Sequence, residues 1–284
     1  MSGGLSTVGE WDTRACIFNL DGLLINKEDL NADCVNAILA RYGRPRLTSK
    51  VRAQLTGVPD STNGDIFHDW AKLSISREEF TAEYTKESQE CFLACQPMHG
   101  ARELLLNLSR AYSAFSGERM LLSLASSTTH EMFQIKVSQE EIQGFLGYFR
   151  QENMILGDDP RVPPGRAKPA PDIYLTALQS LNMTRGPDEA IQPDQCLVFE
   201  DSPVGVEAAR RAGMRVVWVP HPELADQYDI GRNDAISFST GAVHTGQVRR
   251  AVSLYDSMVE VLPSLQDFSY DKYGIVSLAQ ASKL

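Results

Sequence analysis

The chain has 284 residues, 43% of them hydrophobic and 23% charged, and its 27 Lys and Arg against 37 Asp and Glu give a formal net charge of −10. That length can bury a full core with a smaller inserted or appended part, and the composition excludes extended disorder. The acidic balance argues against nucleic-acid binding, which needs a cationic surface to displace counterions from phosphates, but it leaves room for a small anion in a locally positive cleft.

Met1 to Glu10 is small and polar, without the basic flank and apolar run of a secretory signal, and no later segment has the roughly 18 uninterrupted apolar residues that span a bilayer. The expectation is a cytoplasmic protein with no membrane partner. Cys16, Cys34, Cys91, Cys95 and Cys196 are an odd set without a CxxC pair, and they read as buried free thiols.

Arg14 to Asn19 is an apolar run that reads as a central strand buried on both faces, leading into the polar, glycine-containing turn Leu20-Asp21-Gly22. From Lys27 to about Gln96 the pattern turns helical, with Leu30, Cys34, Ile38 and Leu39 on one face and Ile66, Phe67, Trp70 and Leu73 on another. Ser76 followed by Glu79 has the spacing of a capping box and opens a helix over Arg77 to Phe92. So much helix between two strands exceeds a simple crossover and implies a separate cap.

Ala101 to Leu108 reads as a core helix, and Met120 to Ala125 as a second buried strand ending at Ser126-Ser127-Thr128-Thr129. A helix from His130 would point its free N–H groups toward an anion. Met154 to Leu156 suggests a short strand, Gly157 to Lys168 an irregular loop, and Pro171 to Leu181 a helix. Gln195 to Phe199 is a third long strand ending in Glu200-Asp201-Ser202-Pro203, Gly205 to Ala212 a helix stopped by Gly213, and Arg215 to Val219 a fourth.

This alternation calls for an α/β fold, a doubly wound parallel sheet in a Rossmann-like core. The expected domains are a core over residues 1–24 and 97–262, a helical cap over 25–96, and a peripheral tail over 263–284.

Adjacent parallel strands would gather Asn19, Asp21, Ser126, Lys168, Glu200 and Asp201 into one cleft. Carboxylates with a hydroxyl and a lysine suit a magnesium-assisted phosphoryl site: hard oxygen ligands for the cation and donors for the phosphate. From about Arg14 to Pro220 the chain resembles the haloacid dehalogenase (HAD) superfamily, in its capped subfamily I branch of phosphatases and beta-phosphoglucomutase-like proteins. The Asn19-Leu20-Asp21-Gly22 turn, Ser126, Lys168-Pro169-Ala170-Pro171-Asp172 and Glu200-Asp201-Ser202-Pro203 match its four motifs in order.

The resemblance implies roles. The position of Asn19 is that of a nucleophile and magnesium ligand, and Asp21 is general acid and base and a ligand through its carbonyl. Ser126, Ser127 and Lys168 hold phosphate, Glu200 and Asp201 complete the Mg2+ site, and the partner is a small phosphorylated substrate. Where the family carries a nucleophilic aspartate this chain has Asn19, whose amide is uncharged and has delocalised lone pairs, so attack on phosphorus is lost and metal binding is weakened.

Further departures are Asn26 and Lys27 before Glu28, and Val58 after Gly57, where relatives often have an arginine. Candidate substrate contacts are Lys27, His68 and Arg161. Set against these are a solvated charge at the cap hinge for Lys27, a cap-core aromatic for His68, and a solvated loop for Arg161 with Arg166. Three functions are open at this point. One is a magnesium-dependent phosphatase impaired by asparagine at the nucleophile position. Another is a homologue repurposed for acid-catalysed elimination, isomerisation or cyclisation with Asp21 as proton donor. The third is a non-catalytic protein that binds a phosphometabolite or a partner.

Overall fold

The structure, a computed structural model, describes residues 11–55, 60–225, 236–238, 250–252 and 258–277. Gly57 and Val58 lie outside the described residues. Strand β1 (Ala15–Phe18) is buried at all four positions. Its alternate side chains serve two layers: Cys16 and Phe18 enter one apolar cluster with Leu105, Phe145 and Phe199, while Ala15 and Ile17 enter the other with Tyr174, Val198 and Trp218. That is how a strand covered on both faces uses its two-residue period.

Four helices follow, α1 (Lys27–Arg41), α2 (Ser49–Leu55), α3 (Asp60–Ala71) and α4 (Arg77–Phe92). Val35, Leu39, Phe67 and Ala71 give this block a small apolar core of its own. The capping box of α4 forms in full: Ser76 Oγ accepts from Glu79 N at 3.1 Å, and Ser76 N donates to Glu79 Oε2 at 2.8 Å. The chain then runs through α5 (Ala101–Leu108), β2 (Tyr112–Ser113), β3 (Leu121–Ala125), α6 (His130–Lys136), α7 (Glu140–Leu146), β4 (Met154–Ile155) and α8 (Asp172–Asn182). It continues with β5 (Cys196–Glu200), α9 (Pro203–Arg211), β6 (Arg215–Trp218), α10 (Pro222–Ala225), the antiparallel pair β7 (Ile236–Phe238) and β8 (Arg250–Val252), then β9 (Val259–Val261) and β10 (Ile275–Val276).

The main sheet has the order β4-β3-β1-β5-β6-β9, with every neighbouring pair parallel. The chain starts at the centre, builds outward to β4, then crosses back to β5 on the other side of β1. The strand order therefore reverses at β1, and the crevice beyond the carboxyl ends of β3, β1 and β5 is where such a sheet binds ligands.

Residues from 263 onward were expected to form a peripheral tail, and here the structure differs. Leu265, Phe268, Tyr273 and Ile275 are buried in the first apolar layer, the Phe268 ring stands edge-on to Phe199 at 5.0 Å, and β10 pairs antiparallel with β2. Their apolar side chains are scattered singly among Pro, Ser, Asp and Gly, so no periodic pattern announces the docking. All five cysteines are free, and burial pushes the Cys95 thiol up to about 11. Among the described residues no helix is long and apolar enough to cross a membrane.

Because the α4 cap satisfies two backbone N–H donors reciprocally, Ser76→Ala is expected to cost about 1 kcal/mol, read as a lower urea midpoint at unchanged slope.

Candidate functional site

The carboxyl ends of β1, β3 and β5 lie side by side and deliver Asn19, Ser126 and Glu200 with Asp201 to one place. Lys168, buried in the loop before α8, joins all three strand ends: its Nζ donates to Asn19 Oδ1 at 3.1 Å, Ala125 O at 3.2 Å and Glu200 Oε1 at 2.6 Å. The turn after β1 is pressed against the same cluster. Gly22 has φ +80°, and a Cβ there would lie 2.3 Å from Asp201 Oδ2, so only glycine fits on both counts.

Glu200 is fully buried and its oxygens are saturated. Oε1 accepts from Lys168 and from Tyr174 Oη at 2.7 Å; Oε2 accepts from Asp201 N, Ser202 N and Ser202 Oγ at 2.9 to 3.0 Å. Burial alone would raise its pKa, but the Lys168 charge and these hydrogen bonds outweigh it and hold the carboxyl below its ordinary range. Expected as a metal ligand, Glu200 instead anchors Lys168 and the first turn of α9. Gly205 makes room for it, since a Cβ at that position would meet Oε1 at 1.8 Å. The Asp201 carboxyl is pushed well above the usual range by burial, then by the charges of Glu200 and Glu28.

Asn19 is oriented by its partners without ambiguity. Lysine only donates, and it meets Oδ1; Nδ2 in turn donates to Asp21 O at 2.9 Å and Asp201 Oδ1 at 2.7 Å. Those two acceptors are the oxygens that the sequence resemblance assigns to magnesium. Facing them is an N–H donor pair, so the residues present do not fit a divalent cation at this point. Among the described residues no cluster of three or more His, Cys, Asp and Glu is arranged to hold a metal.

Ser126 is buried at the end of β3, and its Oγ accepts from Thr128 N at 3.3 Å. The cap of α6 is Thr129, whose side chain accepts from Met132 N, so Ser126 is not spent as that helix's cap. The helix start expected to face a ligand anion has one from its own chain: His130 N donates to the Asp158 carboxylate at 3.0 Å. Ser127 is exposed beside Ser126, and its carbonyl is packed against Gly157, where a Cβ would come within 2.2 Å.

Asp21 is half-buried, and its Oδ2 is held by a residue that the sequence reading passed over. Lys136, the last residue of α6, is only 3% exposed and donates to Asp21 Oδ2 at 2.5 Å and Thr128 Oγ1 at 2.8 Å. Burial pushes its ammonium below the ordinary amine range. A lysine in a last helical turn reads as a partner for the helix dipole. The available signal was its place on the apolar stripe with Phe133 and Val137, all three buried.

Lys27 is not the solvated hinge charge that the sequence suggested. It pairs with Glu28 Oε1 at 3.2 Å and lies over the Phe92 ring at 5.9 Å, with Lys136 over the same ring at 5.5 Å. Burial lowers its pKa, but the charges of Glu28 and Asp21 prevail and the net direction is upward. His68 stands edge-on to Phe67 and Phe80 among the cap aromatics. Arg161 is built into its own loop, with Nε and Nη2 on Asp159 at 2.9 and 2.7 Å and Nη1 on Glu152 O at 3.3 Å. Arg166 pairs with Asp172.

A sequence profile described as haloacid dehalogenase-like hydrolase matches residues 16–219. The chain is 33% identical over 262 residues to a probable pseudouridine-5'-phosphatase of Saccharomyces cerevisiae, covering 92% of this chain and 97% of that one. It is 32% identical over 226 residues to the mitochondrial (DL)-glycerol-3-phosphatase 1 of Arabidopsis thaliana, covering 79% and 70%. A HAD family hydrolase from Deinococcus radiodurans R1, solved with bound phosphate and sodium, shares its fold with a TM-score of 0.57 at 23% identity, over 74% of this chain and 82% of that one.

The space that Gly205 leaves for the Glu200 carboxylate supports a stability prediction. Gly205→Ala, although favourable to a helix in isolation, is expected to cost upward of about 2 kcal/mol, because a saturated buried carboxylate cannot retreat. Chemical denaturation of the purified variant checks it.

Proposed function

The chain belongs to the haloacid dehalogenase-like hydrolase family, and on that premise we propose that it takes a small phosphorylated metabolite into this cleft and is impaired as a phosphatase by Asn19. The observation that carries the reading is the buried ammonium of Lys168 drawn to the ends of three adjacent strands, beside Ser126. At a strand-order reversal the fixed positive charge of Lys168 attracts a tetrahedral oxyanion, and the Ser126 hydroxyl can donate to it. The relatives named above are phosphatases of a nucleoside monophosphate and of a polyol phosphate by their descriptions, and what those two substrates share is a phosphomonoester.

Asn19 stands where the ester phosphorus would be attacked, but it has no free carboxylate oxygen to offer. Its nitrogen is committed to Asp21 O and Asp201 Oδ1, and its oxygen accepts from Lys168. Asp21 lies two residues on, with Oδ2 on Lys136 and Oδ1 buried without a hydrogen-bond partner among the described residues. That oxygen is the natural station for the proton of a departing alcohol. Ligand binding and proton placement are thus retained in the design of the cleft, while the first covalent step lacks its nucleophile.

Asn19→Asp, assayed with magnesium supplied against a panel of phosphomonoesters, is expected to raise turnover by more than about a thousandfold. A variant that folds and binds the esters yet shows no rise overturns the proposal.

A further inference from the structure

The two ends of the Asn19 side chain are chemically different, and the cluster uses that difference. A carboxylate at this position would present an acceptor at each end, one for Lys168 and one for a cation. An amide has a single acceptor end, and Lys168 claims it at 3.1 Å. Turning the amide over would set its NH2 against the Lys168 ammonium and its oxygen against Asp21 O and Asp201 Oδ1, replacing three hydrogen bonds with three like-with-like contacts. Lys168 cannot step aside, because it is buried and also bonded to Ala125 O and Glu200 Oε1.

Charge works in the same direction. Glu200 is spent on Lys168, Tyr174 and the start of α9, which leaves Asp201 as the one carboxylate side chain bonded to the Asn19 nitrogen. A small divalent cation that gives up its water reluctantly gains little from a single carboxylate and a carbonyl already occupied by N–H donors.

Resting on the same placement of the phosphate site, we propose that the Asn19 amide is a built-in substitute for the divalent cation: its two N–H groups tie Asp21 O to Asp201 Oδ1, and this chain assembles the cleft without magnesium. Asn19 is then a plug and not a weak ligand. The two descriptions differ in what happens when the side chain is removed. Taking away a weak ligand leaves cation binding no better than before. Pulling a plug releases two oxygens and improves it.

The test is a titration of the full chain with MgCl2 by calorimetry, with the rise in Tm at about 10 mM MgCl2 as a second readout. The Asn19 chain is expected to give neither binding heat nor a Tm rise. Asn19→Asp is expected to bind at least about tenfold more tightly than the Asn19 chain, and Asn19→Ala several-fold more tightly, each with a Mg2+-dependent rise in Tm. Binding by the Asn19 chain as tight as by Asn19→Asp overturns the proposal, as does an Asn19→Ala chain that binds no better than the Asn19 one. Should Asn19→Ala fail to fold, the Asn19 chain itself still decides, because binding heat or a Mg2+-dependent rise in Tm from it overturns the proposal. An Asn19→Asp chain that binds Mg2+ yet hydrolyses nothing counts against the phosphatase reading alone.

Discussion

One buried ion pair organises the molecule's business end. Lys168 and Glu200 meet at 2.6 Å in a site from which water is nearly excluded, and each is tied to further backbone and side-chain groups. A buried pair is not in itself a source of net stability, because desolvating two charges costs about as much as their attraction returns. Removing one partner is another matter, since the survivor is left charged and dry, typically at about 3–5 kcal/mol. The pair thus acts less as glue than as a specification: only a chain that brings the ends of β1, β3 and β5 together can satisfy it.

That specification reaches back into positions with no chemistry of their own. Gly22, Gly157 and Gly205 each stand where a single methyl group would strike, respectively, Asp201 Oδ2, the carbonyl of Ser127 and the Glu200 carboxylate. Two segments that follow strands, and the first turn of α9, are thus packed tightly against the residues of the site. Tyr174 and Trp218, both fully buried, extend the shell, Tyr174 donating to Glu200 Oε1 and Trp218 Nε1 to Asp201 O at 2.8 Å. The polar cluster is consequently held by helices and strands on both faces of the sheet, not by mobile side chains reaching in from solvent.

What was legible in the sequence follows a physical division. The strands β1, β3, β5 and β6 and the capped helix α4 announce themselves through local period and turn chemistry, and the polar residues at the strand ends inherit their placement from the sheet. Residues whose meaning depends on what they pack against were not legible. Glu200 looks like a cation ligand until the five donors around it are known, and Lys27 looks solvated until Phe92 and Glu28 surround it. Lys136 hides in a helix end, and Phe268 and Tyr273 hide in a segment with no periodicity at all. The Asn19 substitution was visible at once, but which of its two ends faces the lysine is a property of the fold.

The second cluster, around Asp21, shows how the helical block is tied to the site. Asp21 belongs to the turn after β1, Lys136 to α6 on the sheet's flank, and Phe92 to the last turn of α4, the helix that leads out of the block. Lys136 spans them, bonded to Asp21 Oδ2 and lying 5.5 Å from the centre of the Phe92 ring, with Lys27 at 5.9 Å from the same ring. An ammonium over an aromatic face is worth about 0.5–2 kcal/mol, the upper end when it is desolvated as here. A shift of α4 relative to α6 would therefore act on the lysine that holds Asp21, while the Lys168 cluster is bonded to strand ends, their connecting loops and Tyr174 of α8. The site thus divides into a Lys168 cluster fixed by the core and an Asp21 cluster whose geometry is shared with the helical block.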